Sequence, residues 1–407
     1  MLVETKHGPV VEVLLNHPTI LPVYKKVRNY ERHPKEGPPV ALLSGGSGAK
    51  RLSETLIRYT HSSTHILPVF DDGGSSRELR MKLGMPPPGD LRNRLMALSD
   101  MTRSGNPDVS RLFRARLSTE DEPQELERAL HAFLDDAHPQ VRRIERRYRR
   151  IILNHLDRFV QQKPAGFDLR GGNIGNFVIA GAYLDVMDLE SVIFEFSVLA
   201  AVRGEVVPVC HGPNFHLKAE LESGEVWIGQ SQITSQPHAR IRRLSIVEQG
   251  DDGEYREVQP RVNPLARRSI RKSALISYTM GSLYTSIIPT LLVQGVGQAI
   301  RLTKRPKVLV ANLVQDHETS TMTVSEMLRE LLRYLRLSDS EPGEMQDYIH
   351  YVLVGMHGDT SLGGRLPVDL GQIRHLGVEP IVLPLEDAKI PGEHNTELVT
   401  ATLLSLC

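Results

Sequence analysis

Cysteine is nearly missing from this chain. Only Cys210 and Cys407 occur among 407 residues. That excludes a disulfide framework and points to a reducing, cytoplasmic setting. A dominant charge is missing too. Lys+Arg and Asp+Glu both number 49, so no global field draws the chain to nucleic acid or to a membrane surface. No apolar run reaches the length of a bilayer span. Met1 to Lys6 holds no basic region followed by an apolar stretch, so no secretory signal is expected. Cys407 does not complete a prenylation box. Repeats and low-complexity tracts are also lacking. What remains is a hydrophobic content of 40%, ample for a large core built as two or three lobes or as one α/β sheet with an insertion.

The most informative stretch is Ser44-Gly45-Gly46-Ser47-Gly48-Ala49-Lys50, which follows the apolar run Val40–Leu43. A strand that stops at clustered glycines before a helical pattern suits a phosphate cradle. Glycine lets the backbone approach an anion closely, and the first free amides of the next helix point at it. Neither common fingerprint is present. Lys50 follows Ala49 and precedes Arg51, so there is no Gly-Lys-Ser/Thr; Arg51 stands where a dinucleotide loop needs its third glycine or alanine.

Residues 1–38 read as an N-terminal appendage ending in a Pro- and Gly-containing linker. A doubly wound, mostly parallel α/β sheet is expected over 39–102 and 166–407, with a helical insertion at 103–165. The order of strand, glycine loop, helix over 51–59, strand over 66–70 and acidic glycine loop is how such a sheet begins, and its ligands sit at strand carboxyl ends. In the insertion, six arginines lie between Arg142 and Arg150. Accompanying acids and an apolar repeat at helical spacing make this a solvated helical segment rather than a nucleic-acid patch, and one able to cover a site as a lid. The apolar runs near 206–209, 275–277, 308–311, 352–354 and 381–383 continue the sheet, and a hairpin is expected around Ser223-Gly224.

Several loops carry chemistry. Asp71-Asp72-Gly73-Gly74-Ser75-Ser76 sets adjacent carboxylates beside flexible backbone and hydroxyls. This suits Mg²⁺ held by Asp71 and Asp72 together with a phosphate oxygen; an Asx turn is the simpler use of the same residues. Asp90, after three prolines and Gly89, can cap the following helix, from whose first turn Arg92 and Asn93 could reach a phosphate or base. Asn176 fits either a ligand hydrogen bond or a cap. Gly281 and Ser282, and Asn312, follow further strands at anion-binding positions. His317 between Asp316 and Glu318 fits a proton-transfer or metal site as well as a solvated loop. Asp71 lies 23 residues beyond Gly48, near a ribose-binding position, which leaves an NAD-dependent oxidoreductase as a third reading.

Taken together, Ser44 to Gly48, Asp71 to Ser76, Pro86 to Asn93 with Ala97-Leu98-Ser99-Asp100, Gly175-Asn176, Ala201-Val202-Arg203-Gly204, Gly281 to Ser286 with Pro289, and Asn312 resemble the CofD-like family. That family holds 2-phospho-L-lactate transferase of deazaflavin-coenzyme biosynthesis and the bacterial gluconeogenesis factor. The resemblance implies a Rossmann-like fold. For the transferase branch it implies Mg²⁺-dependent attack of a ribityl hydroxyl on a diphospho-guanosine-linked donor, releasing GMP. For the other branch it implies nucleotide-sugar binding and control of cell-envelope metabolism, and the detailed matches look closer to that branch. The implied ligand residues are Gly45, Gly46, Ser47, Gly48, Gly73, Gly74, Ser75, Asp90, Arg92, Asn93, Asn176, Gly281, Ser282 and Asn312. The expected partner is a nucleotide or nucleotide-linked small molecule, with no nucleic acid, no membrane and a homodimeric assembly. Arg77, Thr279-Met280, Gly171-Gly172 and the shortened 312–319 stretch depart from the family pattern, which bears on transfer more than on nucleotide binding.

Overall fold

The computed structural model describes residues 2–14, 18–102, 105–212, 215–235, 240–250, 252–356 and 364–407. Residues 103 and 104, where the expected insertion begins, lie outside them. Seven parallel strands form the central sheet. In chain order they are β1 (Val40–Leu43), β2 (Ser63–Leu67), β3 (Glu205–Pro208), β4 (Leu275–Tyr278), β5 (Lys307–Val310), β6 (Tyr351–Gly355) and β7 (Glu379–Leu383). Their spatial order is 7-6-5-4-1-2-3. The chain therefore winds outward from β1 through β2 and β3, then returns to the other flank of β1 as β4. The expected doubly wound architecture is found, and its switch point lies between β1 and β4.

Burial on both faces explains the short apolar strands. Two strands open on buried polar residues ahead of their apolar runs. β2 opens with Ser63, Thr64 and His65, all buried; the His65 ring meets Ser63 Oγ at 3.2 Å and Ser53 Oγ at 3.4 Å. β5 opens with buried Lys307, whose Nζ donates to Thr303 O at 2.6 Å. Satisfied polar groups are thus admitted into central strands. Pro208 and Pro380 fall in β3 and β7, the two edges, where a missing N–H costs no ladder bond.

The sheet divides the core. One face packs on residues that include Leu283, Leu291, Leu328 and Leu331. A four-stranded antiparallel sheet joins this layer, and within it Phe215–Leu221 and Val226–Ile228 form the expected hairpin. Towards the β2–β3 flank, the helices Pro107–Arg114, Pro123–Ala132 and Arg146–Gln162 share one hydrophobic cluster with Leu79, Leu91, Leu95 and the helix Ile174–Val186. Phe159 stacks on Phe177 with centroids 4.5 Å apart. Residues 105–165 are thus built into this layer as a wall. The N-terminal region forms a three-stranded sheet and a helix, with Leu21 and Val27 buried beside Leu404 of the last helix. Among the described residues no helix is long and apolar enough to cross a membrane.

Candidate functional site

The crevice outside the carboxyl ends of β1 and β4 is where a doubly wound sheet binds ligands. The glycine loop leaves β1 there. Gly46 has no room for a side chain: an added Cβ would lie 1.8 Å from Asp90 Oδ1 and 2.9 Å from Asp90 Cα. A Cβ on Gly48 would lie 2.9 Å from Gly281 Cα, so the two switch-point loops touch backbone to backbone. Ser47 and Gly48 are exposed. Among the described residues, their N–H groups find no acceptor.

A residue that sequence reasoning missed holds this loop from behind. Arg94, on the helix Gly89–Ala97, is fully buried. Its Nη2 donates to Gly45 O at 2.6 Å and Ser44 Oγ at 3.1 Å. Its Nη1 donates to Ala49 O at 3.0 Å and to Ser53 Oγ. The available signal was its spacing from Asp90, one turn earlier, inside the apolar run Leu91, Leu95, Met96.

The adjacent aspartates part company. Asp71 Oδ1 accepts from Gly73 N at 3.0 Å, and its other oxygen sits beside Ser76 Oγ over Gly89, where an added Cβ would lie 2.3 Å from each. Asp72 turns away: Oδ1 accepts from Ser231 N at 2.5 Å and Oδ2 lies against Gly229. The carboxylate that joins Asp71 in the crevice is Asp90, which accepts from Gly46 N–H. Burial pushes both upward; Asp90 rises to about 7, with the Asp71 charge adding to the burial effect.

Three expected ligand residues prove to be fastened to one another. Arg92 is buried, with Nε donating to Asn176 Oδ1 at 2.8 Å and Nη1 to Phe113 O at 3.1 Å. Asn176 Nδ2 donates to Ser75 Oγ at 3.1 Å. This chain ties the acidic loop to two helices and commits Arg92 Nε and Nη1 and both ends of the Asn176 amide to protein partners. The cap of the helix Ile174–Val186 is Asn173, whose side chain accepts from Asn176 N at 3.0 Å. Asn93 is half-buried, and among the described residues its side chain finds no partner. Gly73 and Gly74 are exposed at the start of the helix Gly74–Leu83.

Across the crevice, Asn312 braces Gly281 on both sides: its Oδ1 accepts from Gly281 N at 2.9 Å and its Nδ2 donates to Gly281 O at 3.0 Å. Glu318 rather than His317 turns inward. It accepts from Tyr284 N at 2.7 Å, Thr285 N at 3.1 Å and Thr285 Oγ1, capping the π-helical turn Leu283–Ile287. Burial raises its carboxyl to about 7. His317 is exposed. Ser282 and Ser286 are half-buried, with hydroxyls that find no partner among the described residues. A cleft of about 610 Å³ adjoins this turn, lined by Tyr284, Glu318, Arg240, Arg329 and Arg333 among others.

The donor set suits a hard divalent cation at Asp71 and Asp90, two carboxylates whose charge burial disfavours. It does not suit one at Asp72, whose oxygens serve the Gly229–Ser231 turn. Among the described residues no three His, Cys, Asp or Glu side chains group as a metal cage. A cation here would take its remaining ligands from phosphate and water, as Mg²⁺ commonly does.

The chain matches the family described as 2-phospho-L-lactate transferase CofD over residues 40–381. It is 30% identical over 296 residues to the gluconeogenesis factor of Halalkalibacterium halodurans, covering 72% of each chain. It is 30% identical over 301 residues to that of Bacillus subtilis, covering 73% of this chain and 75% of the relative. The gluconeogenesis factor of Listeria monocytogenes is 27% identical over 388 residues, 91% of this chain and 95% of the relative. An X-ray structure of a Bacillus halodurans protein superposes with a TM-score of 0.68 at 26% identity, covering 91% of this chain and 100% of that one. The switch-point loops, the acidic loop and strands β1 to β6 fall inside the matched span, and the chain belongs to the CofD family.

Proposed function

We propose that the chain binds a nucleoside-diphosphate-linked small molecule at the switch point, together with Mg²⁺, and transfers a phosphorylated group from it in the manner of a 2-phospho-L-lactate transferase. The observation that carries this reading is the meeting of the 44–49 and 281–286 loops backbone to backbone, with Asp71 and Asp90 at their edge. The amides of Ser47 and Gly48 would take the diphosphate, with the dipole of the helix Lys50–Leu56 behind them. Ser282 and Ser286 would donate to it from the other side. Asp71 and Asp90 would hold the cation, which neutralises charge developing on the leaving phosphate. Asn93 would meet the nucleotide beyond, and the cleft beside Tyr284 offers room for an acceptor.

A second reading keeps the binding and drops the transfer. The relatives named gluconeogenesis factor favour it, and in it the bound nucleotide sugar acts as a signal. Calorimetric titration with GDP, UDP and UDP-linked sugars, with and without Mg²⁺, tests both. Mg²⁺-dependent diphosphate binding that Asp71→Asn weakens at least tenfold is expected. GMP released from a diphospho-guanosine donor supports transfer, and UDP-sugar binding without turnover supports the sensor. Absence of nucleotide binding would end both.

A further inference from the structure

The buried cation behind the glycine loop has a use beyond packing. Among the described residues Arg94 contacts no carboxylate: its four acceptors there are the Gly45 and Ala49 carbonyls and the Ser44 and Ser53 hydroxyls. Asp90 and Glu54 act on it only through space. Burial lowers its pKa to about 10, which leaves the guanidinium charged at neutral pH. Holding an arginine without a contact ion pair in a site it cannot leave is costly, and among the described residues Nε finds no partner. The positive charge lies under the backbone segment whose outward amides at Ser47 and Gly48 are free.

We infer that Arg94 is a positioning residue that makes this loop discriminate by anion charge, favouring a diphosphate over a monophosphate or an uncharged ligand. The inference rests on the anion-binding reading of the loop. Two effects combine. The guanidinium fork draws the carbonyls at both ends of the loop inward, so the amides between them face out. Its charge, shielded from water, adds an attraction that grows with the charge of the ligand.

The test compares GDP, GMP and inorganic pyrophosphate by calorimetry against the full-length protein, Arg94→Met and Arg94→Lys, with Mg²⁺ held constant. Wild type is expected to bind GDP and pyrophosphate more tightly than GMP. Arg94→Met should reduce affinity by on the order of tenfold for each added unit of ligand charge, so that the GDP-to-GMP ratio collapses. Arg94→Lys should bind more weakly overall yet keep that ratio, because it keeps the charge. Equal weakening of all three ligands by Arg94→Met, or a collapsed ratio in folded Arg94→Lys, would overturn the inference. Should Arg94→Met fail to fold, the Lys variant decides alone. Wild type that binds pyrophosphate but no nucleotide would sink the nucleotide reading and leave the role of Arg94 standing; wild type with no preference for pyrophosphate over GMP would sink the role.

Discussion

The two loops that meet at the switch point are fastened in opposite ways. The loop after β1 is held by a cation that grips its carbonyls, Arg94 on Gly45 O and Ala49 O. The turn after β4 is held by an anion that grips its amides, Glu318 on Tyr284 N and Thr285 N. A loop gripped through its carbonyls keeps its donors for a ligand. A turn gripped through the amides of Tyr284 and Thr285 has spent those two, and it adds the Ser282 and Ser286 hydroxyls. Glycines mark both segments in the sequence, but in the proposed site the first would meet phosphate through the Ser47 and Gly48 amides, and the second would add the Ser282 and Ser286 side chains.

The largest break in this contrast comes from Gly46→Ala. The new Cβ would meet Asp90 Oδ1 at 1.8 Å and Asp90 Cα at 2.9 Å, and the second contact cannot be relieved by a rotamer change. Displacing the helix that bears Asp90 and Arg94 should cost about 1–3 kcal/mol of stability and abolish diphosphate binding. Thermal unfolding and calorimetry read the two effects. A variant that melts like wild type and still binds would mean that the loop is loose.

The second turn should reveal its anionic clamp through pH. The Glu318 carboxyl is raised to about 7, above its unfolded value near 4.3. The folded state therefore binds the proton more tightly, and the stability this gives is present in full below the unfolded value. It is lost as pH rises through about 7. Asp90, also raised to about 7, acts with the same sign. Stability should thus fall between about pH 4 and pH 7, by no more than about 4 kcal/mol for each group. Glu318→Gln should flatten part of that slope and leave the Asp90 part. Urea melts across this range decide it, and a slope unchanged by Glu318→Gln would remove the clamp from the account.

The sequence made the loops legible and hid their wiring. Glycine clusters after apolar runs are visible because backbone approach demands glycine, and the doubly wound class was expected from them, though the strand order was not. Arg94 was passed over for Arg92 and Asn93 because nothing local distinguishes a buried arginine from an exposed one; partners at 44, 45, 49 and 53 are brought to it only by the packing of the helix Gly89–Ala97. Asp71 and Asp72 looked like one site because they are neighbours, but successive residues leaving a strand point apart, and the turn at Gly229–Ser231 claims the second. The polar openings of β2 and β5 escaped hydrophobic pattern because Ser63, His65 and Lys307 find their partners in tertiary structure.

The smaller effects separate brace from donor within the second turn. Asn312→Ala removes both bonds to Gly281. It should lower stability by about 1–3 kcal/mol, since the Gly281 N–H and C=O lose partners in a half-buried place. Binding should suffer only as far as Gly281 moves against Gly48. Ser282→Ala should do the reverse. The hydroxyl finds no partner among the described residues, so its loss should leave the melting temperature within about a degree while costing about 0.5–1.5 kcal/mol of diphosphate affinity, the net worth of one hydrogen bond. The first loop gives no such pair of variants, because its donors are backbone amides and cannot be deleted one at a time. If Ser282→Ala lowers stability and leaves affinity untouched, the hydroxyl belongs to the fold, and Ser286 is the remaining donor of the turn after β4.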